Sequence, residues 1–428
     1  MMDRTNRKKL LWLLFATCIV RISFFMMLGD NLDESLQADV DNYLHLGHSL
    51  ADNSVYELHG QPTAFRPVLY PALLALGLKL QLTAKVWVVI LHVLLAILTV
   101  WITVLLGCHL KDAQTGLLAG GFVIIDPILL NQSVLVMTET AATFFAVLCM
   151  WRVAKLMDRP GPLNILLTGI AFGLAGYCRP TFYVFALILL ILLLFVLQTS
   201  FVRRLAITFS IGCVVLIILS PWVYRNYQLF DKPVFATTHG GYTLLLGNNP
   251  LYYQQLDHTE ITYSATEFDE GVRRFKVSAE PNFDFWSAEA SLKNPVITRN
   301  EVERDAFTYE VALHHIRKNP IGFAKGCLAR LKAFWTPLPA DVQEARSDTQ
   351  RYAVGIWYVL IYLLIAHFTL FHTRNWAHSG LFAGLALVVA FSLVHAFFWS
   401  NMRMRAPLIP MLSLVAAISF CSPKSGSS

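Results

Sequence analysis

Charge is what this sequence lacks most: only 14% of its 428 residues are Asp, Glu, Lys or Arg, against 56% hydrophobic. A water-soluble domain of that length rarely tolerates so little polar surface, so the chain reads as an integral membrane protein. Cysteine is sparse and scattered, seven residues with no CxxC pair, and only Cys327 falls in a long polar segment. That spacing argues against a disulfide scaffold or a structural zinc site. Basic residues interleaved with aromatics are missing from the polar segments, and the net charge of +6 traces mainly to short loops, so nucleic acid is not an expected partner. The basic N-terminus "MMDRTNRKKLLWLLFATCIV" lacks a small-x-small cleavage site and continues past Arg21 into "ISFFMML". It is read as a retained first helix.

What is present is apolar sequence in lengths suited to crossing a bilayer. Such runs cover roughly 10–29, 86–107, 114–130, 134–151, 163–178, 181–199, 205–222, 352–371, 376–398 and 406–421. The expected fold class is an all-α polytopic membrane protein, a bundle of about ten transmembrane helices with a small, mainly helical extracytoplasmic region. Arg4, Arg7, Lys8, Lys9, Lys111, Arg152, Lys155, Arg159, Arg203, Arg204, Arg374 and Lys424 fall on one side, which the positive-inside rule makes cytoplasmic. Residues 30–85 and 223–351 then lie outside. The chain divides into an N-terminal transmembrane module, 1–222, whose first outer loop (30–85) is the catalytic candidate, an extracytoplasmic loop domain, 223–351, and C-terminal transmembrane helices, 352–428.

The second outer segment has no repeat and no low-complexity tract, but one clear soluble helix in "TRNEVERDAFTYEVALHHIRKNP", with Thr298 or Asn300 as its cap and Pro320 at its end. The following "IGFAKGCLARLKAFWTPLP" fits either a helix lying in the membrane interface or a buried helix of the outer domain. The sequon-like "NQS" at Asn131 sits in a short turn between spans and is taken as chance.

Ionisable residues at the edge of a span are costly, and several gather at the outer boundary. Arg66, Arg179, Arg225, Arg403 and Arg405 stand there against the charge trend, and Pro67 and Pro180 place Arg66 and Arg179 where a helix begins or breaks. Guanidinium groups at one depth suit a phosphate or diphosphate, since each can make two charge-assisted hydrogen bonds to it. Asp39, Asp41, Asp126 and Glu139 are the acidic counterparts; Asp126, before Pro127, reads as a turn or helix cap. Treated as one amphipathic helix, "ADVDNYLHLGHSL" puts Asp39 at the edge of the apolar arc with Tyr43, and Asp41 among Asn42, His45 and His48 on the wet face. Asp39 is then the carboxylate that needs a partner or a job.

In order and topological side, these pieces resemble the C-type (GT-C) membrane glycosyltransferases, and within them glycosyltransferase family 39, the bacterial protein O-mannosyltransferase and aminoarabinose transferase type. The matching residues are Arg21, Asp39 and Tyr43 in "DVDNY", "RPVLYP" with Arg66 and Tyr70, Thr-Glu at Glu139, "GYCRPTF", "PWVYRNY" leading into "GNNP", "IRKNPIGF" and "RMRAPLIP". The resemblance implies a GT-C-like bundle that transfers a sugar from a polyprenyl-phosphate-linked donor to a lipid, glycan or protein acceptor on the non-cytoplasmic face of a bacterial inner membrane, usually with inversion. It implies Asp39 and Glu139 as the catalytic carboxylates, with Asp39 deprotonating or orienting the acceptor. Arg66, Arg225, Arg403, Arg405 and Arg179 become donor-phosphate ligands, and Tyr43, Tyr70 and Asp41 position substrate. Arginines on the leaving phosphate would stabilise the charge developing there. Many members have a second acidic residue directly after the first-loop aspartate, where this chain has Val40; Asp41 is the alternative. No cofactor is required by this reading; a divalent cation stays open, since Asp39, Asp41, His45 and His48 read better as the wet face of a helix than as ligands. A transporter or flippase for a lipid-linked or anionic substrate is the alternative function, although transporters usually place charge at the midplane of repeated halves.

Overall fold

A computed structural model describes residues 2–258, 300–339, 347–371 and 381–421; Thr298, Arg374 and Lys424 lie outside them. The first half runs α1 (Arg4–Met27), α2 (Gly29–Ala38), α3 (Tyr43–Asp52), the hairpin β1 (Glu57–Leu58) and β2 (Gln61–Pro62), and α4 (Leu69–Lys79). Then come α5 (Ala84–Leu110), α6 (Ala113–Ile125), α7 (Pro127–Ser133), α8 (Glu139–Asp158), α9 (Pro162–Cys178), α10 (Thr181–Val196) and α11 (Phe201–Phe230). The second half contributes α12 (Gly240–Leu246), α13 (Pro250–His258), α14 (Glu301–Lys318), α15 (Pro320–Trp335), α16 (Asp348–Phe371), α17 (Leu381–Phe397), a 3₁₀ segment (Met402–Leu408) and α18 (Ile409–Phe420).

Among the described residues six helices are long and apolar enough to cross a membrane, seven if α6 and α7, bent by 53°, form one broken span. Each of the ten apolar runs overlaps a helix among the described residues, but those at 163–178, 181–199 and 376–398 do so through the shorter α9, α10 and α17. The bend falls at Asp126-Pro127. Proline cannot continue the α6 ladder, and Asp126 restarts the helix by accepting the Leu129 N–H at 3.0 Å.

The bundle is apolar outside and inside. α1 and α11 present Leu11, Trp12, Phe15, Leu216 and Ile217 outward, as a lipid-facing surface requires, whereas α5, α8 and α18 are largely enclosed. Apolar lipid tails do not drive such helices together, so close packing must. Gly169 and Gly173 supply it where α9 meets Val214 and Ile218 of α11; a Cβ at either glycine would approach them to 2.5 and 2.7 Å.

α8 fixes the long axis. Its twenty residues span about 30 Å at 1.5 Å per residue. At its far end Asp158 meets His109 and Lys155, and nearby Lys111 donates to the last carbonyls of α18 and its cap, Ile418 and Cys421. Glu139 stands at the opposite end, where α2–α4 and the 3₁₀ segment close over the bundle.

Candidate active site

The first outer loop does not contain the single helix expected over Ala38–Leu50. α2 stops at Ala38, Asp39 and Asn42 take left-handed φ values of 32° and 58°, and α3 starts at Tyr43. Asp and Asn are the non-glycine residues that best tolerate that region, which is why "DVDN" can break where an apolar pattern would run on. The break turns the Asp39 carboxylate back onto the start of α3, where its two oxygens accept the N–H groups of Leu44 at 3.0 Å and His45 at 2.8 Å. These amides have no partner within the helix, and the helix dipole favours a negative charge beside them.

Arg66 pairs with Asp41 rather than Asp39. Its Nη2 donates to Asp41 Oδ1 at 2.5 Å and its Nε to the Asp41 carbonyl at 3.1 Å. The expectation that Asp41 lies on the wet face without a charged partner is therefore corrected. Burial raises the Asp39 carboxyl above its ordinary value, opposed by the amides and ring of His45 and the amide of Leu44.

Tyr43 joins this loop to the bundle. It is buried, Arg66 lies 5.7 Å from its ring centroid, and Asp41, Arg179 and Glu139 are all within electrostatic reach of its phenol. Burial pushes that phenol well above its ordinary value, so it stays a neutral hydroxyl. Tyr70 packs edge-on against Tyr43 at 5.4 Å, but its own hydroxyl is spent on His92 Nε2 at 2.9 Å, and His92 Nδ1 on the Ser133 carbonyl at 2.6 Å. Tyr70 thus braces Tyr43 and has its polar atom turned away.

In the bundle, Glu139 is 2% exposed and sits between two arginines, with Arg179 Nη2 at 3.7 Å and Arg403 Nε at 3.8 Å from Oε1. Arg179 lies in the extended break between α9 and α10 that Pro180 imposes, and Arg403 on the 3₁₀ segment. Neither guanidinium is well served. Arg179 Nη2 and Arg403 Nη1 each reach a thioether, Met404 and Met137, at 3.0 Å, while Arg179 Nη1, Arg403 Nε and Glu139 Oε2 have no hydrogen-bond partner among the described residues. Two cations against one anion leave an excess positive charge at a partly enclosed site, an arrangement suited to an anionic ligand.

The expected ring of five arginines resolves into three places. Arg225 donates to the Thr63 and Tyr56 carbonyls at 2.7 Å each and to Asn226 Oδ1 at 2.8 Å, stapling the outer hairpin to α11 beside an open groove of about 520 Å³. Arg405 is fully buried, with Nη1 on the Phe334 and Thr336 carbonyls at 2.8 and 3.0 Å and its guanidinium 4.3 Å from the centre of the Tyr358 ring. Asp126, bonded by Tyr358 and Trp357, is its nearby counter-charge. Arg21 lies buried below the site and donates to the Leu129 carbonyl at 2.6 Å. Arg66, Arg179 and Arg403 remain beside the carboxylates.

Several organising residues carried no signal read from the sequence. Arg330 is buried on α15 and donates to Ala396 O at 2.7 Å, to Gly247 O and to Asn248 Oδ1 at 3.2 Å, so it holds "GNNP" in place. α15 resolves both readings offered for it: Gly322, Gly326, Arg330 and Phe334 form a buried stripe while Ile321 and Leu328 face outward. Glu301 clamps the loop by accepting from Thr63 Oγ1 at 2.7 Å, Ala64 N at 2.5 Å and Thr238 Oγ1 at 3.0 Å.

Among the described residues no three His, Cys, Asp or Glu side chains come together as metal ligands. Asp39 is committed to amides and Asp41 to Arg66, so the first-loop carboxylates do not fit a cation held between them.

Residues 65–224 match a family model described as dolichyl-phosphate-mannose-protein mannosyltransferase. No curated protein matches the chain in sequence. Among solved structures, the oligosaccharyltransferase AglB from Archaeoglobus fulgidus, in complex with an inhibitory peptide and a dolichol-phosphate, superposes with a TM-score of 0.55 at 13% identity, covering 97% of this chain and 50% of that one. The Archaeoglobus fulgidus oligosaccharyltransferase in its apo form gives 0.55 at 12% identity, covering 96% and 50%. The chain spans about half the length of these enzymes. ArnT from Cupriavidus metallidurans, bound to undecaprenyl phosphate, aligns over 90% of this chain and 77% of that one at 14% identity, with a TM-score of 0.43. This chain shares the fold of the Archaeoglobus fulgidus oligosaccharyltransferase, and its residues 65–224 are similar to the dolichyl-phosphate-mannose-protein mannosyltransferases.

Proposed function

We propose that the protein transfers a sugar from a polyprenyl-phosphate-linked donor to an acceptor on the non-cytoplasmic face of a bacterial inner membrane, with inversion at the anomeric carbon. One observation carries the reading. The Asp41–Arg66 pair and the enclosed Glu139–Arg179 pair both reach the buried Tyr43 phenol, with Asp39 bonded to the first amides of the same helix and Arg403 beside Glu139, at the end of α8 opposite its Asp158 end. Asp39 orients or deprotonates the acceptor hydroxyl, and its raised proton affinity suits a base better than that of an exposed carboxylate. Arg179 and Arg403, with Arg66 from the loop side, hold the donor phosphate and stabilise the charge that grows on it as the glycosidic bond breaks. A phosphate leaves as an anion, so no acid catalyst is needed. Glu139 keeps both arginines aimed and close without consuming their hydrogen-bonding capacity. Arg225 and Arg405 hold the framework, and the reaction proceeds without a metal.

Mass spectrometry of polyprenyl-linked sugars and envelope glycans in a strain lacking the protein tests this reading. An accumulating polyprenyl-phosphate sugar with a missing modification is expected. Unchanged pools of both would contradict it.

A further inference from the structure

Between α17 and the 3₁₀ segment, a link without regular structure concentrates buried polar atoms that have no hydrogen-bond partner among the described residues. They are Trp399 Nε1, Ser400 Oγ and Asn401 Oδ1, flanked by His395 Nε2 and Arg403 Nε. Folded proteins leave few such atoms, and a run of them in one short link calls for a reason. Asn401 occupies the cap position of the 3₁₀ segment, where an Asn side chain ordinarily accepts a first-turn N–H, yet it makes no capping bond. Ser400 is 1% exposed. Trp399 is held by its backbone N–H on the Thr243 carbonyl at 3.3 Å and by its ring, 5.8 Å from the Arg403 guanidinium. Arg403 in turn leads to Glu139, whose Oε2 also has no hydrogen-bond partner among the described residues.

The mixture of donors and acceptors identifies the chemistry. Trp399 Nε1 only donates, Asn401 Oδ1 and an ionised Glu139 only accept, and Ser400 does either. Phosphate oxygens would leave the acceptors unmatched and face the Glu139 charge. Hydroxyl groups satisfy both kinds. We propose that Trp399, Ser400 and Asn401, with Glu139, form the subsite that reads the hydroxyls of the transferred sugar, adjoining the phosphate-holding Arg179 and Arg403; this rests on the sugar-transfer reading above.

The test compares wild type, Ser400→Ala and Asn401→Ala in reconstituted vesicles. The donors are polyprenyl-phosphate-linked mannose, glucose, galactose and arabinose and their monodeoxy forms, and sugar-free polyprenyl phosphate is the competing ligand. Each variant should lower kcat/KM for the best donor about three- to tenfold, the loss of one neutral hydrogen bond. For one deoxy donor the wild type should lose a similar factor and the variant little more, because both changes remove the same bond. Inhibition by sugar-free polyprenyl phosphate should stay within about twofold of wild type, which also reports an intact fold. Variants with wild-type kcat/KM, or variants that weaken polyprenyl phosphate as much as the donor, would overturn the subsite alone. Wild type that binds polyprenyl phosphate but turns over no sugar-linked donor would overturn the transfer reading, and the subsite with it.

Discussion

Replacing Asp41 separates the two first-loop aspartates. The Asp41–Arg66 pair is largely enclosed, with side chains 21% and 14% exposed and a 2.5 Å contact. Asp41→Asn keeps an acceptor for Arg66 Nη2 and leaves the backbone carbonyl that Arg66 Nε uses, so only the charge is lost. Exchanging a charge-assisted for a neutral hydrogen bond costs about 1–1.5 kcal/mol, or about five- to tenfold in kcat/KM if Arg66 must be held against the donor phosphate. Asp41→Ala removes the acceptor altogether and should cost about thirtyfold, a loss on the order of 2 kcal/mol. Asp39→Asn should instead abolish measurable transfer if Asp39 deprotonates the acceptor as proposed, since an amide takes no proton there. All three are measured as initial rates of transfer from a labelled polyprenyl-phosphate sugar, with membrane yield as the folding control. The assignment is refuted if Asp39→Asn transfers normally, or if Asp41→Asn is as inactive as Asp39→Asn.

Arg330→Leu leaves the Ala396 and Gly247 carbonyls and Asn248 Oδ1 buried without their donor, and should cost about 3–5 kcal/mol of stability, read as a large drop in thermal midpoint in detergent; an unchanged midpoint would contradict the role given to it. Asp305, pushed up to about 6 by burial that outweighs the opposing Gly241 N–H, binds its proton more tightly folded than unfolded. It therefore favours the fold most below about pH 4, and that contribution is lost as pH rises through about 6. Asp305→Asn should flatten this window in thermal scans and keep the acceptor for Gly241; a slope unchanged from wild type would refute it. Chelation with EDTA should leave transfer rates within about twofold, because both first-loop carboxylates are already engaged; loss of activity restored by a divalent cation would contradict this.

Apolar length made the bundle legible, and proline and aspartate marked its breaks: Asp126-Pro127 is a bend with a cap, and Arg179 sits in a helix break as its proline requires. Asn300, one of the two caps offered, caps α14, and Asn319, which no reading offered, caps α15 ahead of Pro320. The loop around Asp39 was misread because helical periodicity assumes an unbroken helix, and two residues in left-handed geometry cancel every angle computed across them. Arginine partners were equally hidden. A guanidinium at the end of a span looks the same in sequence whether it meets a carboxylate, as Arg179 does, or backbone carbonyls, as Arg225 and Arg405 do. Arg330 carried a faint mark, the stripe Gly322, Gly326, Arg330, in which small residues make room for the large one; Gly326 lies against the Arg330 guanidinium.

Sugar turnover by the purified protein tests the central claim most directly. Reconstituted into vesicles with a polyprenyl phosphate carrying a labelled sugar and a mixture of candidate acceptors, wild type should release free polyprenyl phosphate and transfer the label, and Asp39→Asn should do neither. Movement of the intact labelled lipid across the bilayer with no cleavage would contradict the claim and identify a carrier instead.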